Sequence, residues 1–326
     1  MTGIVSRAPL RVSFVGGGTD IPAFFTQYGE GNVLSASIQK YVYILGVKNF
    51  RGSGFSLRYS KVENVEEVDN IAHPIIREVV RKFDIKGLEL SVVSEIPAGT
   101  GLGSSSSFTC AMIAFASKFT KLEMSQEEIA KLACEIEIEV LKEPIGKQDQ
   151  YGSAIGGLKH LRFDKSSVQV NQIKLDAYDK SSLEQGLRLV YLGLPTRSAG
   201  AVVRDQFTLT DDHSTQMDAL VKLSDLAKEV SSEVQTRIGA IGDSLLRGWE
   251  LKKISNPNAT SPQIESAIGA CLNNGANSIK LLGAGISGFL LTWSDLGYGP
   301  NFEPTLNKLG YKVLDFRIDE EGVVTF

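Results

Sequence analysis

Residues 95–107 read EIPAGTGLGSSSS, from Glu95 to Ser107. The preceding stretch, residues 88–96 (LELSVVSEI), has the pattern of a strand, and the small-residue stretch from about Ser105 to Phe119 reads as a helix. The segment is therefore a strand-to-helix connection with Gly99, Gly101 and Gly103 in the turn. Glycines permit positive φ and close backbone approach, while the free amides and dipole of a helix N-terminus attract an anion. Ser104 to Ser107 add hydroxyls that can bond phosphate oxygens or ligate Mg²⁺. A tight turn with a serine cap accounts for one glycine and one serine, not for three glycines and four serines in nine residues. No Gly-Lys-Ser/Thr follows, so this is no Walker loop, and the glycine spacing does not fit the dinucleotide fingerprint. Glu123 stands ~20 residues on, where that fingerprint wants an acid, but it precedes a helix instead of ending a second strand.

Outward from this loop, strand-like and helix-like segments are mixed with no repeat, which makes the class α+β or α/β. Residues 8–16 alternate as a half-buried strand, Leu10, Val12 and Phe14 on one side and Arg11, Ser13 and Val15 on the other, ending at Gly16-Gly17-Gly18. A helix starts at Ser125 with a capping box to Glu128 and runs to about Lys142. The polar stretch from about Ser166 to Gln185 marks a boundary before the strand at 187–193, dividing the chain into residues 1–185 and 186–326. From Ser214 to Ile254 the periodicity is helical, and strands return at about 278–282, 288–293 and 313–318.

The chain has 326 residues, of which 42% are hydrophobic and 22% charged, so a disordered or coiled-coil chain is excluded. A net charge of −4 argues against nucleic acid as a partner. No apolar run approaches the ~20 residues that span a bilayer, and Arg7 and Arg11 interrupt any signal-peptide core, which points to no membrane partner and a cytoplasmic location. Cys110, Cys134 and Cys271 are odd in number and widely spaced, and read as buried thiols.

Four other places carry candidate chemistry. Gly283-Ala284-Gly285-Ile286-Ser287-Gly288 formally satisfies G-x-G-x-x-G, but a strand pattern (FLLTW) follows where a dinucleotide site needs a helix, leaving a connection between strands or a backbone cradle beside a ligand. Of Glu135, Glu137 and Glu139, Glu137 has the apolar helical neighbours Ala133, Cys134, Val140 and Leu141 and should point inward. A buried carboxylate requires a cation or hydrogen-bond donors, and Mg²⁺ on a nucleotide or a Lys or Arg partner would serve. Asp149, in the polar cluster Gly146 to Gly152, either accepts a proton from a substrate hydroxyl, with Arg11 stabilising its charge, or forms a turn; Asp20 either lines a site or caps the next helix. Pro195-Thr196-Arg197-Ser198, before a probable helix with Arg204, offers an anion site or an ordinary surface arginine.

Pro9-Leu10-Arg11 with Gly16 to Asp20, then Pro97 to Ser107, then Gly283 to Gly288, resemble the three ordered motifs of the GHMP small-molecule kinases. GGGTD, GKQDQYGSAIGG, SLLRGWELKK and KLLGAGISGFLL resemble the branch acting on D-glycero-D-manno-heptose 7-phosphate. The resemblance implies a two-domain α+β fold, with a ribosomal-S5 domain-2-like N-terminal domain, a ferredoxin-like C-terminal domain, and ATP and sugar phosphate in the cleft between them. It further implies that Pro97, Gly99, Thr100, Gly101, Leu102, Gly103, Ser104, Ser105 and Ser106 wrap the ATP phosphates, and that Ser105 or Ser104 with Glu137 holds Mg²⁺. Asp149 matches the catalytic aspartate and Arg11 the cation near it. Gly17, Gly18, Thr19, Asp20, Gly152 and Gly285 would meet the sugar; apart from the resemblance, Arg197, alone or with Arg204, is expected to bind its remote phosphate. The chain departs from close relatives in carrying Ile286-Ser287 where Gly-Gly is common. The rival readings are a kinase for unphosphorylated fucose or galactose, a sensor that binds sugar and ATP without turnover, and a nicotinamide dehydrogenase.

Overall fold

The structure, a computed structural model, describes residues 3–194, 213–283, 285 and 287–326. Its strands fall into two sheets. The first contains β1 (Ile4–Val15), β2 (Gly31–Val47), β3 (Gly54–Arg58), β4 (Val62–Val65), β5 (Gly87–Ser94), β6 (Leu158–Phe163), β7 (Val168–Ile173) and the final strand Val324–Thr325. The order is final strand, β1, β2, β5, β3, β4, with β6 and β7 branching from β2. The 17-residue β2 makes this branching possible: one edge follows β1, while the other gives Gly31 to Ala36 to β6 and Val42 to Val47 to β5. The β1–β2 register shifts between Pro9 and Leu10, where proline supplies no amide to the ladder.

The second sheet holds β8 (Leu187–Tyr191), β9 (Ser278–Leu281), β10 (Phe289–Trp293) and β11 (Lys312–Asp315), antiparallel in the order β11-β8-β10-β9. With helices between β8 and β9 and between β10 and β11, this is the βαββαβ arrangement of a ferredoxin-like unit. The polar stretch 166–185 is folded rather than loose, supplying β7 and most of a helix.

The helices are α1 (Pro22–Tyr28), α2 (Pro74–Lys82), α3 (Ser104–Thr120), α4 (Gln126–Cys134), α5 (Gln148–Ala154), α6 (Ala177–Gly186), α7 (His213–Glu233), α8 (Ala240–Ser255), α9 (Pro262–Asn273) and α10 (Phe302–Lys308). Apolar or small residues on every side of α3 bury it from Ser106 to Ser117, at the centre of the larger core. The capping box at Ser125 and Glu128 starts α4 as expected.

Three sequence expectations are corrected. β1 is enclosed, not half-exposed, because α3, α5, α7 and α8 all pack against it, and Arg11, Ser13 and Val15 are buried along with Leu10, Val12 and Phe14. The helix after Ser125 does not continue regularly to Lys142; it widens into a π turn over Glu135–Val140, where the Leu141 amide donates to the Ile136 carbonyl at 2.9 Å. The 214–254 periodicity is broken between Glu233 and Ala240 into two helices. Polar contacts join the halves of the molecule, among them Asn32 Nδ2 donating to Ser224 Oγ at 3.0 Å and Lys280 Nζ donating to the Ser13 and Phe14 carbonyls at 2.8 and 2.9 Å. All three cysteines are free and buried. Among the described residues no helix is long and apolar enough to cross a membrane.

Candidate active site

The loop between β5 and α3 adopts the conformation its glycines allow: Gly99, Gly101 and Gly103 have φ of 77°, 85° and 73°. Gly103 is the residue before the first helical turn, so the amides of Ser104 to Ser106 open the helix beside exposed Ser105. Leu102 anchors the loop, its side chain fully buried and its carbonyl accepting from the Arg11 amide at 3.0 Å. Thr100 is buried too, its hydroxyl donating to the Pro97 carbonyl at 3.0 Å. Leu102 and Thr100 thus hold the loop in shape, leaving Gly99, Gly101, Gly103 and Ser105 at its surface.

The second glycine cluster lies directly against the first. A Cβ on Gly283 would stand 2.4 Å from Gly101 Cα, one on Gly101 2.7 Å from the Leu282 carbonyl oxygen, and one on Gly288 2.2 Å from the Thr100 carbonyl oxygen. Two glycine loops from different sheets therefore meet backbone to backbone, which side chains would prevent. β10 follows the second loop, so the dinucleotide reading lacks its helix. Gly285 turns toward the Pro257–Ala259 turn, where a Cβ would lie 2.9 Å from Ala259 Cα. Ala284 and Ile286, like Pro195 to Ser198 and Arg204, lie outside the described residues.

Arg11 reaches from β1 to this junction. Its Nη1 donates to the Gly101 carbonyl at 2.7 Å, and its Nε and Nη2 lie 2.8 and 2.6 Å from Asp149 Oδ1. A Cβ on Gly152, one turn along α5 from Asp149, would stand 3.0 Å from Arg11 Cγ, so the helix approaches the arginine closely. Asp149 Oδ2 takes no hydrogen bond among the described residues.

Asp20 is buried beside them. Its Oδ1 accepts from the Gly18 amide at 3.0 Å and Gln148 Nε2 at 2.9 Å, and its Oδ2 from the Gln148 amide at 3.1 Å. The helix-capping alternative is set aside, because the residue before α1 is Ile21 and no side chain caps that helix. Burial, reinforced by the Asp149 charge, pushes the Asp20 carboxyl up to about 6 against the pull of those donors. Gly146 is excluded from carrying a side chain, since its Cβ would fall 1.8 Å from Asp20 Oδ2. Gly17 sits between Ser13 Oγ and the Gln148 amide group, whereas Thr19 is fully buried, its hydroxyl donating to the Gly16 and Asn32 carbonyls at 2.8 and 3.0 Å.

Glu137 points inward from the π turn and is 1% exposed. Its Oε1 accepts from Ser105 and Thr109 at 3.2 and 3.0 Å, and its Oε2 from Ser106 and Gln150 at 2.8 and 2.6 Å. Neutral donors, not a lysine or arginine, compensate it. Burial nevertheless raises its carboxyl above the usual range. Among the described residues no three His, Cys, Asp or Glu side chains cluster as a metal site. A carboxylate oxygen beside the hydroxyl of exposed Ser105 is nonetheless a hard-oxygen set of the kind Mg²⁺ takes when phosphates and water complete its shell.

Gln148, Gln150, Lys252 and Lys280 were not anticipated. The glutamines flank Asp149, and one signal, their position in the polar cluster, was present. Lys280 stands between Ile279 and Leu281 in a buried strand, and Lys252 in an ordinary helical pattern; neither environment shows in local sequence.

Residues 70–157 match the family model of the GHMP kinases N terminal domain. The D-glycero-alpha-D-manno-heptose 7-phosphate kinase of Campylobacter jejuni is 30% identical over 336 aligned positions, covering 99% of this chain and 98% of that kinase. The L-fucokinase/L-fucose-1-P guanylyltransferase of Bacteroides fragilis is 23% identical over 87% of this chain, which spans 34% of that larger protein. The solved structure of a D-glycero-D-manno-heptose 1-phosphate kinase from Bacteroides thetaiotaomicron superposes with a TM-score of 0.81 at 24% identity, covering 99% of this chain and 98% of the other.

Proposed function

Since the chain belongs to the GHMP kinases, we propose that it uses ATP and Mg²⁺ to phosphorylate the anomeric hydroxyl of D-glycero-α-D-manno-heptose 7-phosphate, giving the 1,7-bisphosphate in the cytoplasm for activated-heptose and surface-glycan synthesis. The observation that carries this reading is the meeting of Arg11, Asp149 and the Gly99–Gly103 loop at one point, in a chain that aligns from end to end with a heptose 7-phosphate kinase.

Asp149, held through Oδ1, presents Oδ2 to the acceptor hydroxyl and takes its proton. The freed oxygen attacks the γ-phosphorus, the bond to the β–γ bridging oxygen breaks, and ADP leaves. Arg11 and the amides at the start of α3 face the charge on the moving group, as phosphoryl transfer requires positioning and electrostatic stabilisation more than covalent help. Ser105 and Glu137 are the residues that would hold Mg²⁺, which when bound neutralises phosphate charge. Asp20, with Gly17 and Gln148 around it, supports a site for sugar hydroxyls. Arg197 is assigned to the 7-phosphate.

The test is ADP release measured in parallel with heptose 7-phosphate, fucose and galactose. Release with heptose 7-phosphate alone supports the assignment. Release with an unphosphorylated sugar moves the protein to a fucokinase- or galactokinase-type activity, and ATP binding without release to any of them makes it a sensor.

A further inference from the structure

We propose that Lys252 binds the terminal phosphate of ATP directly, adding a second cation to the one Arg11 supplies. The inference rests on the kinase reading above. Lys252 is partly buried on α8, with its ammonium donating to the carbonyls of Gly283 and, at 3.4 Å, Leu281. Gly283 is the residue that touches Gly101, and the Gly101 carbonyl is the one Arg11 holds. The ammonium therefore stands at the seam of the two glycine loops.

The charges at this seam do not balance. Arg11 is close enough to disfavour the charged forms of Lys252 and Lys280, yet among the described residues the sole ion-pair partner of the three is Asp149 on Arg11. Protein interiors do not hold unpaired cations without a compensating group. Lys280 is spent on two β1 carbonyls at 2.8 and 2.9 Å and is buried. Lys252 has a third donor and an exposed edge, and burial together with Arg11 brings its ammonium down to about 7, as an ammonium lacking an anion should be. A phosphate on the Gly99–Gly103 loop supplies that anion. The same chemistry could come from the sugar's phosphate; contact between Gly283 and Gly101 favours the nucleotide.

Binding of ADP and of the non-hydrolysable AMP-PNP to the whole protein tests this by calorimetry, with Lys252→Met, Lys252→Gln and Lys252→Arg alongside ADP release with heptose 7-phosphate. Loss of an ammonium–phosphate contact should weaken AMP-PNP by about tenfold or more while leaving ADP near wild type. It should also lower kcat by about 100-fold. Lys252→Arg should recover most of the AMP-PNP preference. The ratio of the two affinities is read within each variant and does not depend on the fraction folded. Equal weakening of both nucleotides makes Lys252 a peg for the Gly283 carbonyl and overturns the proposal, as does a rise confined to the KM of the sugar phosphate, or no change. Wild-type protein that binds neither nucleotide overturns the kinase reading together with this inference; wild-type binding with an unaltered Lys252→Met overturns the inference alone.

Discussion

Arg11 Nε and Nη2 converge on a single oxygen of Asp149, Oδ1, at 2.8 and 2.6 Å. The carboxylate is gripped from one side and leaves Oδ2 to a ligand. Because Arg11 also holds the Gly101 carbonyl, the acid and the glycine loop share one rigid support.

Asp149→Asn keeps an oxygen for Arg11 but cannot take a proton. Turnover should fall at least ~100-fold, with AMP-PNP affinity close to wild type. Near-normal kcat in the ADP-release assay would remove the general-base role.

Asp20 gives stability a pH dependence of defined sign. Its carboxyl titrates near 3.8 when unfolded and about 6 when folded, so between those values the native state binds more protons than the unfolded one. Asp20 therefore makes the fold less stable as pH rises from about 4 to 6, by at most ~3 kcal/mol, with the loss complete above the folded value. Urea midpoints measured across this window should show that slope in the wild type and a flatter one in Asp20→Asn, which should also raise the KM for sugar. Parallel profiles would contradict the assignment.

Gly283 has φ of 72° and no room for a Cβ, whereas Gly29, at φ of 92°, has nothing within 4 Å of where its Cβ would be. Gly29→Ala should cost about 1 to 3 kcal/mol of backbone strain and leave kinetics intact. Gly283→Ala must also push the two loops apart, so the KM for ATP should rise about tenfold or more beyond any effect on sugar. Equal kinetic behaviour of the two variants would show that the loop contact is irrelevant to nucleotide binding.

Glu137→Gln places an amide NH₂ against donors already pointing at the carboxylate. Thermal unfolding should report a loss of about 1 to 3 kcal/mol. The Mg²⁺ concentration for half-maximal activity should rise; an unchanged Mg²⁺ requirement would argue that the carboxylate is structural only.

Arg197 lies outside the described residues, and its assignment is tested by kinetics. Arg197→Ala should raise the KM for heptose 7-phosphate by about tenfold or more and that for ATP little. An equal rise in both would withdraw Arg197 from the sugar-phosphate site.

The nucleotide loop was legible because several glycines and serines in one turn have few explanations. Glu137 was legible for a different reason: its helical neighbours are apolar while those of Glu135 and Glu139 are not, and the π turn leaves that facing unchanged. Asp149 and Asp20 could not be resolved from turn-forming and capping roles until Arg11 and Gln148 were seen on them, since those contacts join residues more than a hundred positions apart. The enclosure of β1 was hidden for the same reason. A strand cannot announce that helices from both halves of the chain will cover it. The junction of Gly283 with Gly101 was open to two readings because the second loop, considered by itself, satisfies any tight connection.

The π turn fixes more than the direction of Glu137. With the Glu143 amide reaching back to the Glu137 carbonyl at 2.9 Å, the backbone there carries a wider coil than an α-helix, and a residue added or removed within Glu135–Val140 would turn the side chains beyond it by ~100° about the axis. Glu137 and Asp149 stand twelve positions apart, the first set against Ser105 and Ser106 and the second against Arg11. A length change in the 164–167 hairpin bend would be absorbed locally. Within Glu135–Val140 it would turn Glu137 away from its serines, so the π turn is where insertions and deletions should be least tolerated.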